Sequence, residues 1–130
     1  MADVAVLEVS DLDLGKHAMA QLKDYFDEIE IEEVSKVTEI PWTLEKLLER
    51  NRGVMLLVDG TEQQYMHQAV GKVLDVEMDA DKPVQKLIVE KENESKEAFT
   101  DRAQEAAREN AEKLAGKIEN TNSKTGYDEI

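Results

Sequence analysis

Two histidines, His17 and His67, are the first candidates for chemistry. Neither stands in an H-x-x-H or H-E-x-x-H arrangement, which sets two imidazoles one helical turn apart around zinc, so neither indicates a metal site. Asp59-Gly60 follows the apolar run 54–58, and open α/β sheets often carry functional groups just past a buried strand. The same pair is an ordinary turn, because Gly relaxes the backbone and Asp accepts from it. No second acid, nucleophile or glycine-rich phosphate cradle accompanies it, and a turn is the expectation. Asp75, Glu77, Asp79 and Asp81 alternate as in a calcium loop, which needs Glu at its twelfth position. Counting from Asp75 gives Lys86 there, and from Glu77 gives Ile88, so the match fails. The serines (Ser10, Ser35, Ser95, Ser123) lie in capping, linker or tail contexts without a His–acid partner. No catalytic residue, cofactor site or metal site is expected, and the protein is read as not an enzyme.

Elements that would position these groups follow from periodicity. Residues 3–9 are β-branched and loosely alternating, which suits a strand. Ser10 and Asp13 resemble a capping box for a helix over 12–28, with Leu14, Ala18, Leu22, Tyr25, Phe26 and Ile29 along one face. A short strand is expected near 34–39. Pro41 then suits the first turn of a helix over 42–50, striped by Leu44, Leu47 and Leu48, with Trp42 covering the core edge. Residues 53–58 read as a strand buried on both faces.

The stretch 64–78 fits two templates. Met66, Val70 and Leu74 recur at helical spacing; Tyr65, His67 and Ala69, then Leu74, Val76 and Met78 past Gly71, alternate as a strand bent at a bulge. The strand is preferred, so that 72–78 and 84–90 form a β-hairpin around the turn 79–83. A long helix over 95–118 carries a seam of Phe99, Ala103, Ala107, Leu114 and Ile118, and a polar tail spans 120–130.

These elements predict an α+β fold: a small antiparallel or mixed sheet of about 4–5 strands, packed by an N-terminal amphipathic helix and a long C-terminal helix. One domain over 1–119 accommodates the 130 residues.

Thirty acidic against sixteen basic side chains give a net charge of −14, which repels duplex nucleic acid and anionic lipid. Direct tight nucleic-acid binding is therefore not expected. The longest apolar run is five residues, far short of a membrane span, and the first residues lack a basic stretch before an apolar block. With no cysteine, disulfides and thiolate metal sites are excluded, and a cytoplasmic location is expected.

The segment Thr43-Leu44-Glu45-Lys46-Leu47-Leu48-Glu49-Arg50, then Arg52-Gly53-Val54-Met55-Leu56-Leu57-Val58-Asp59-Gly60, then Leu87-Ile88-Val89-Glu90 before a charged helix, carries a resemblance. In this order of elements the chain resembles the small tail-terminator and tail-completion proteins of long-tailed phages, of Mu-like and lambda-like kinds, over roughly residues 12–118. The extra strand at 3–9, and an ending where those proteins often continue, depart from the pattern. The resemblance implies a non-enzymatic homo-oligomeric ring at a head–tail junction, in the host cytoplasm or the virion. Asp75, Glu77, Asp79 and Asp81 would then face the lumen, and Phe99, Ala103 and Ala107 would form a contact seam. The other reading, from charge alone, is an acidic inhibitor or decoy that occupies the basic groove of a nucleic-acid-binding protein.

Overall fold

The computed structural model describes residues 3–61 and 63–128, the last nine of these by their backbone alone. The order of elements is β1 (Val4–Val9), α1 (Leu14–Leu22), β2 (Ile29–Glu33), a 3₁₀ turn (Val37–Glu39), α2 (Ile40–Arg50), β3 (Gly53–Asp59), α3 (Met66–Ala80), β4 (Val84–Val89) and α4 (Lys96–Asp128). The four strands form one sheet in the order β2-β1-β3-β4, and every pairing is parallel.

The antiparallel or mixed α+β sheet expected from the sequence is therefore corrected to a parallel α/β sheet. Its cause is legible in the central strands. β1 is buried along its whole length and β3 along all but Asp59. A sheet so apolar must be covered on both faces, and parallel neighbours joined by crossover helices provide that cover. α1 and α4 cover one face, over Val4, Val6, Met55 and Leu57. α2 and α3 cover the other, over Ala5, Leu7, Val54, Leu56 and Val58. Right-handed crossovers that leave β1 and β3 in opposite directions produce this division.

Three local expectations change with it. Residues 66–80 are helical, so the hairpin over 72–90 does not exist; the crossover from β3 to its parallel neighbour β4 requires this helix. Gly71, read as a bulge, sits on the outer surface of α3 with open space around it. The second strand lies at 29–33 rather than 34–39, where Ile29 and Ile31 alternate beside Val4 and Val6. α1 stops at Leu22, and a turn delivers Phe26, not Tyr25, to the core.

The strand at 3–9, the helix started by Pro41 and the buried strand expected at 53–58 stand, the last reaching Asp59. The long last helix, expected over 95–118, also forms but continues to Asp128, so the polar tail expected over 120–130 is corrected to helix as far as residue 128. In α4, Ala103, Ala107 and Ala111 are fully buried, and their small side chains let α4 lie close against α1 and the sheet.

Among the described residues no helix is long and apolar enough to cross a membrane.

Candidate functional site

In a doubly wound sheet the usual ligand position is the crevice at the carboxyl ends of two neighbouring strands whose connections leave toward opposite faces. Here those strands are β1 and β3, since β1 runs on to α1 and β3 to α3 on the other face. The first turn of α1 ordinarily offers unpaired backbone N–H groups there, a ready seat for an anion.

That seat is filled by the chain itself. Glu8, 3% exposed near the end of β1, turns its carboxylate onto the start of α1. Leu14 N donates to Oε2 at 3.0 Å and Gly15 N donates to Oε1 at 2.9 Å. The Ser10 hydroxyl donates to Oε2 as well, while its oxygen accepts from Leu12 N at 3.2 Å. Asp13 stands at the cap position with φ 57° and makes no side-chain cap, so Glu8 takes over the capping of the helix from a distance.

Gly15 leaves room for this arrangement: a Cβ there would lie 2.8 Å from Glu8 Oε1, and the carboxylate would have to shift. From α4, Gln104 Nε2 donates to Leu12 O at 2.9 Å and ties the loop down. On the other side of the crevice Asp59 Oδ1 accepts from Thr61 N at 3.0 Å, and Thr61 Oγ1 accepts from Lys91 N at 2.9 Å. Asp59-Gly60 is thus the ordinary turn its sequence suggested. The exposed residues around this edge include Asp11, Asp13, Glu90 and Glu92, whose charge opposes an anionic ligand.

At the opposite, amino edge of the sheet lies a groove of about 290 Å3 between the C-terminal ends of α2 and α3. Glu45, Leu48, Glu49, Val76, Asp79, Ala80 and Lys82 line it. Lys82 Nζ donates to the Leu48 carbonyl oxygen at the end of α2. Nearby, Arg50 grips Glu30 of β2, with Nε 2.9 Å from Oε1 and Nη2 2.5 Å from Oε2, and Asn51 Nδ2 adds a bond at 3.1 Å. The hydrogen bond from Arg50 is the chief cause that holds the Glu30 carboxyl below the usual glutamate range; partial burial opposes it, and the Asn51 bond and the Arg50 charge support it. The guanidinium of Arg50 is held correspondingly higher, first by its bond to Glu30. At the start of α4, Arg102 lowers Glu94 in the same way.

The residues singled out from sequence fall in several places. Asp75, Glu77, Asp79 and Asp81 lie on α3 and at its end, where a spacing of two turns by about 200° and separates side chains that a strand would align. Glu77 pairs with Lys86 of β4 at 2.6 Å, Asp79 borders the groove, Asp75 is exposed, and Asp81 ends the helix with φ 53°. Phe99, Ala103 and Ala107 are buried in the core between α4, α1 and the sheet. The Nδ1 atom of His17 meets the guanidinium of Arg108, while His67 is exposed on α3. Trp42, expected over the core edge, is 65% exposed with Lys46 Nζ 3.7 Å above its ring. Glu8 was not singled out from the sequence. Its one signal there is a lone acid inside an otherwise apolar strand, just ahead of a helix start.

Among the described residues, no group of three or more His, Cys, Asp or Glu side chains is placed to hold a metal ion.

No protein-family model and no curated protein matches this sequence. Among solved structures, a split-gene transketolase, described as an inactive beta4 tetramer, is similar at a TM-score of 0.67 and 11% identity over 90% of this chain. The chain spans 40% of the length of that transketolase chain. A flavodoxin-like domain from Synechococcus sp aligns at a TM-score of 0.43 with 12% identity, over 86% of this chain and 98% of that one. A Streptococcus pneumonia TIGR4 flavodoxin aligns at 0.46 with 13% identity, over 89% and 99%. At such identities the transketolase likeness is one of fold: the chain shares a parallel α/β architecture with a domain-sized part of a larger protein.

Proposed function

We propose that this chain works by binding protein surfaces, as a non-enzymatic assembly or interaction subunit. The observation that carries this reading is the distribution of exposed apolar side chains. Seven large hydrophobic residues are exposed among those described, and five of them (Trp42, Tyr65, Leu74, Met78 and Ile88) lie on α2, on α3 and its N-terminal cap, or on the face of β4 that α3 covers. Apolar surface gathered on one layer of a strongly charged chain is what a protein contact requires, because burying it is the main favourable term in association. The Glu8 carboxylate supports the same reading from the other side. It occupies the seat in which a phosphate-bearing cofactor would be held, so binding one there would first require its displacement.

A phage-tail ring is one setting for such a subunit. The order of elements no longer argues for it, since the hairpin that completed the resemblance is replaced by α3 and a parallel strand. The reading of the chain as an acidic decoy keeps one specific support: the groove lined by Glu45, Glu49 and Asp79 sits at two helix C-termini, which add negative potential.

The test compares wild type with a Trp42→Ala/Met78→Ala variant, scoring self-association by sedimentation and partner retention at rising salt. Loss of association in the variant, with its circular dichroism unchanged, is expected. Retention that falls steeply with salt selects the acidic groove. Saturable thermal stabilisation of wild type by a nucleotide or flavin phosphate, with association untouched in the variant, overturns the proposal.

A further inference from the structure

The two edges of the sheet are unlike. β2 carries Glu30, Glu32 and Glu33 in five residues, a charge density that deters strand pairing. β4 carries no acid and no proline between Val84 and Val89, in a chain whose net charge is −14. Its only charged residue, Lys86, is already matched by Glu77 of α3 at 2.6 Å.

The direction of the β4 backbone groups follows from its bonds to β3. Val54 N donates to Pro83 O at 3.1 Å and Gly60 N to Val89 O at 2.7 Å, so the odd-numbered carbonyls face β3. By alternation along the strand, the N–H and C=O groups of Lys86 and Ile88 face outward. Both ends of this outer row are closed by the chain's own side chains: Glu77 Oε1 accepts from Val84 N at 3.4 Å, and Arg102 Nη2 donates to Glu90 O at 2.9 Å. Between them a short segment is left for pairing, and among the described residues no strand lies beyond it.

Apolar side chains flank the same row. Ile88 is exposed on the α3 face of β4. Leu74 lies one turn, and Val70 two turns, before Glu77 on α3, hence on the side of the helix that reaches β4, with exposed Met78 next to them.

We infer that the β4 edge pairs with the β4 edge of a second copy of this chain, antiparallel across a two-fold axis, so that two four-stranded sheets become one of eight. This deepens the assembly reading above and rests on it. The occupant is a second copy because two chains of the same strong negative charge can approach closely only where each presents few carboxylates, and the β4 strand is that place. A two-fold axis brings the strip against itself, matching backbone donors to acceptors and placing Leu74, Met78 and Ile88 of each copy at the seam.

The test is sedimentation velocity and native mass spectrometry of the full chain over a concentration series, with Ile88→Lys, Leu74→Glu and, on the other edge, Ile31→Lys. The expected result is a wild-type dimer, a dissociation constant raised about tenfold or more by Ile88→Lys and by Leu74→Glu, and no change from Ile31→Lys. Hydrogen exchange of unmodified wild type gives a second measurement that needs no variant to fold: the Lys86 and Ile88 amides should gain protection as concentration rises. A strictly monomeric wild type overturns the inference, as do dimers indifferent to both β4-side variants, dimers weakened equally by Ile31→Lys, or Lys86 and Ile88 amides whose exchange ignores concentration. An oligomer that survives the β4-side variants but is lost in Trp42→Ala/Met78→Ala removes this interface and leaves the assembly reading standing. A monomer with no protein partner removes both.

Discussion

Replacing Gly15 by Ala in wild type and in a Glu8→Ala background tests the internal occupancy of the α1 seat. In wild type the new Cβ would lie 2.8 Å from Glu8 Oε1, and the carboxylate cannot swing aside without loosening its bonds to Leu14 N, Gly15 N and Ser10. Overpacking of this kind costs about 1–3 kcal/mol. Gly15 has a negative φ, so Ala itself is unstrained and returns up to about 1 kcal/mol of helix propensity. The net expectation in wild type is destabilisation by about 1–2 kcal/mol. Glu8→Ala alone leaves two buried N–H groups unsatisfied and should cost about 2–5 kcal/mol. In that background the obstruction is gone, so Gly15→Ala should be neutral or stabilising by up to about 1 kcal/mol. The two substitutions are therefore coupled by about 2 kcal/mol, well above the additivity limit. Urea denaturation followed by circular dichroism measures all four proteins, with a constant m-value confirming that the midpoints report stability. Equal costs of Gly15→Ala in both backgrounds would mean that the Glu8 carboxylate does not fill the space over Gly15.

Other expectations follow from the same packing. Gly71 lies in the exposed interior of α3 with nothing near its missing Cβ, so Gly71→Ala should stabilise by about 0.5–1 kcal/mol, read from the urea midpoint. Ala107 is fully buried where α4 meets the α1 face, so Ala107→Leu should destabilise by about 1–3 kcal/mol, visible as a lowered thermal midpoint. Because Arg50 depresses Glu30 in the folded state, their interaction contributes stability above the ordinary glutamate range and loses it as pH falls through the lowered folded value. The stability difference between wild type and Arg50→Gln should therefore be present at neutral pH and shrink on acidification below the usual carboxylate range; a gap that widens there would contradict this assignment.

Much of the secondary structure could be read from local pattern. The β-branched run 4–9, Pro41 at a helix start, the apolar run 54–58 and the Ala-spaced face of α4 each carry their own cause within a few residues. The turn at Asp59-Gly60 was likewise legible, and Thr61 N donates to Asp59 Oδ1 there. Residues 66–80 were not decided this way, because their apolar positions satisfy both a period of 2 and a period of 3.6. Only the need to carry the chain across the sheet from β3 to a parallel β4 selects the helix. That choice broke up the strip: Asp75 and Asp79 share one side of α3, Glu77 faces away from them toward β4, and Asp81 ends the helix. It also left β4 as an edge, a property of strand order that no local window contains.

Glu8 marks the same division. Along the chain there is only an acid in an apolar strand, a serine two residues on and a glycine seven residues on. These three meet only in the folded chain, because a strand advances about 3.3 Å per residue while the following turn folds back, bringing the start of α1 over the end of β1. Composition fixes how much charge and apolar surface a chain carries. Which of those groups face one another, and which are left for a partner, depends on the path of the chain through space.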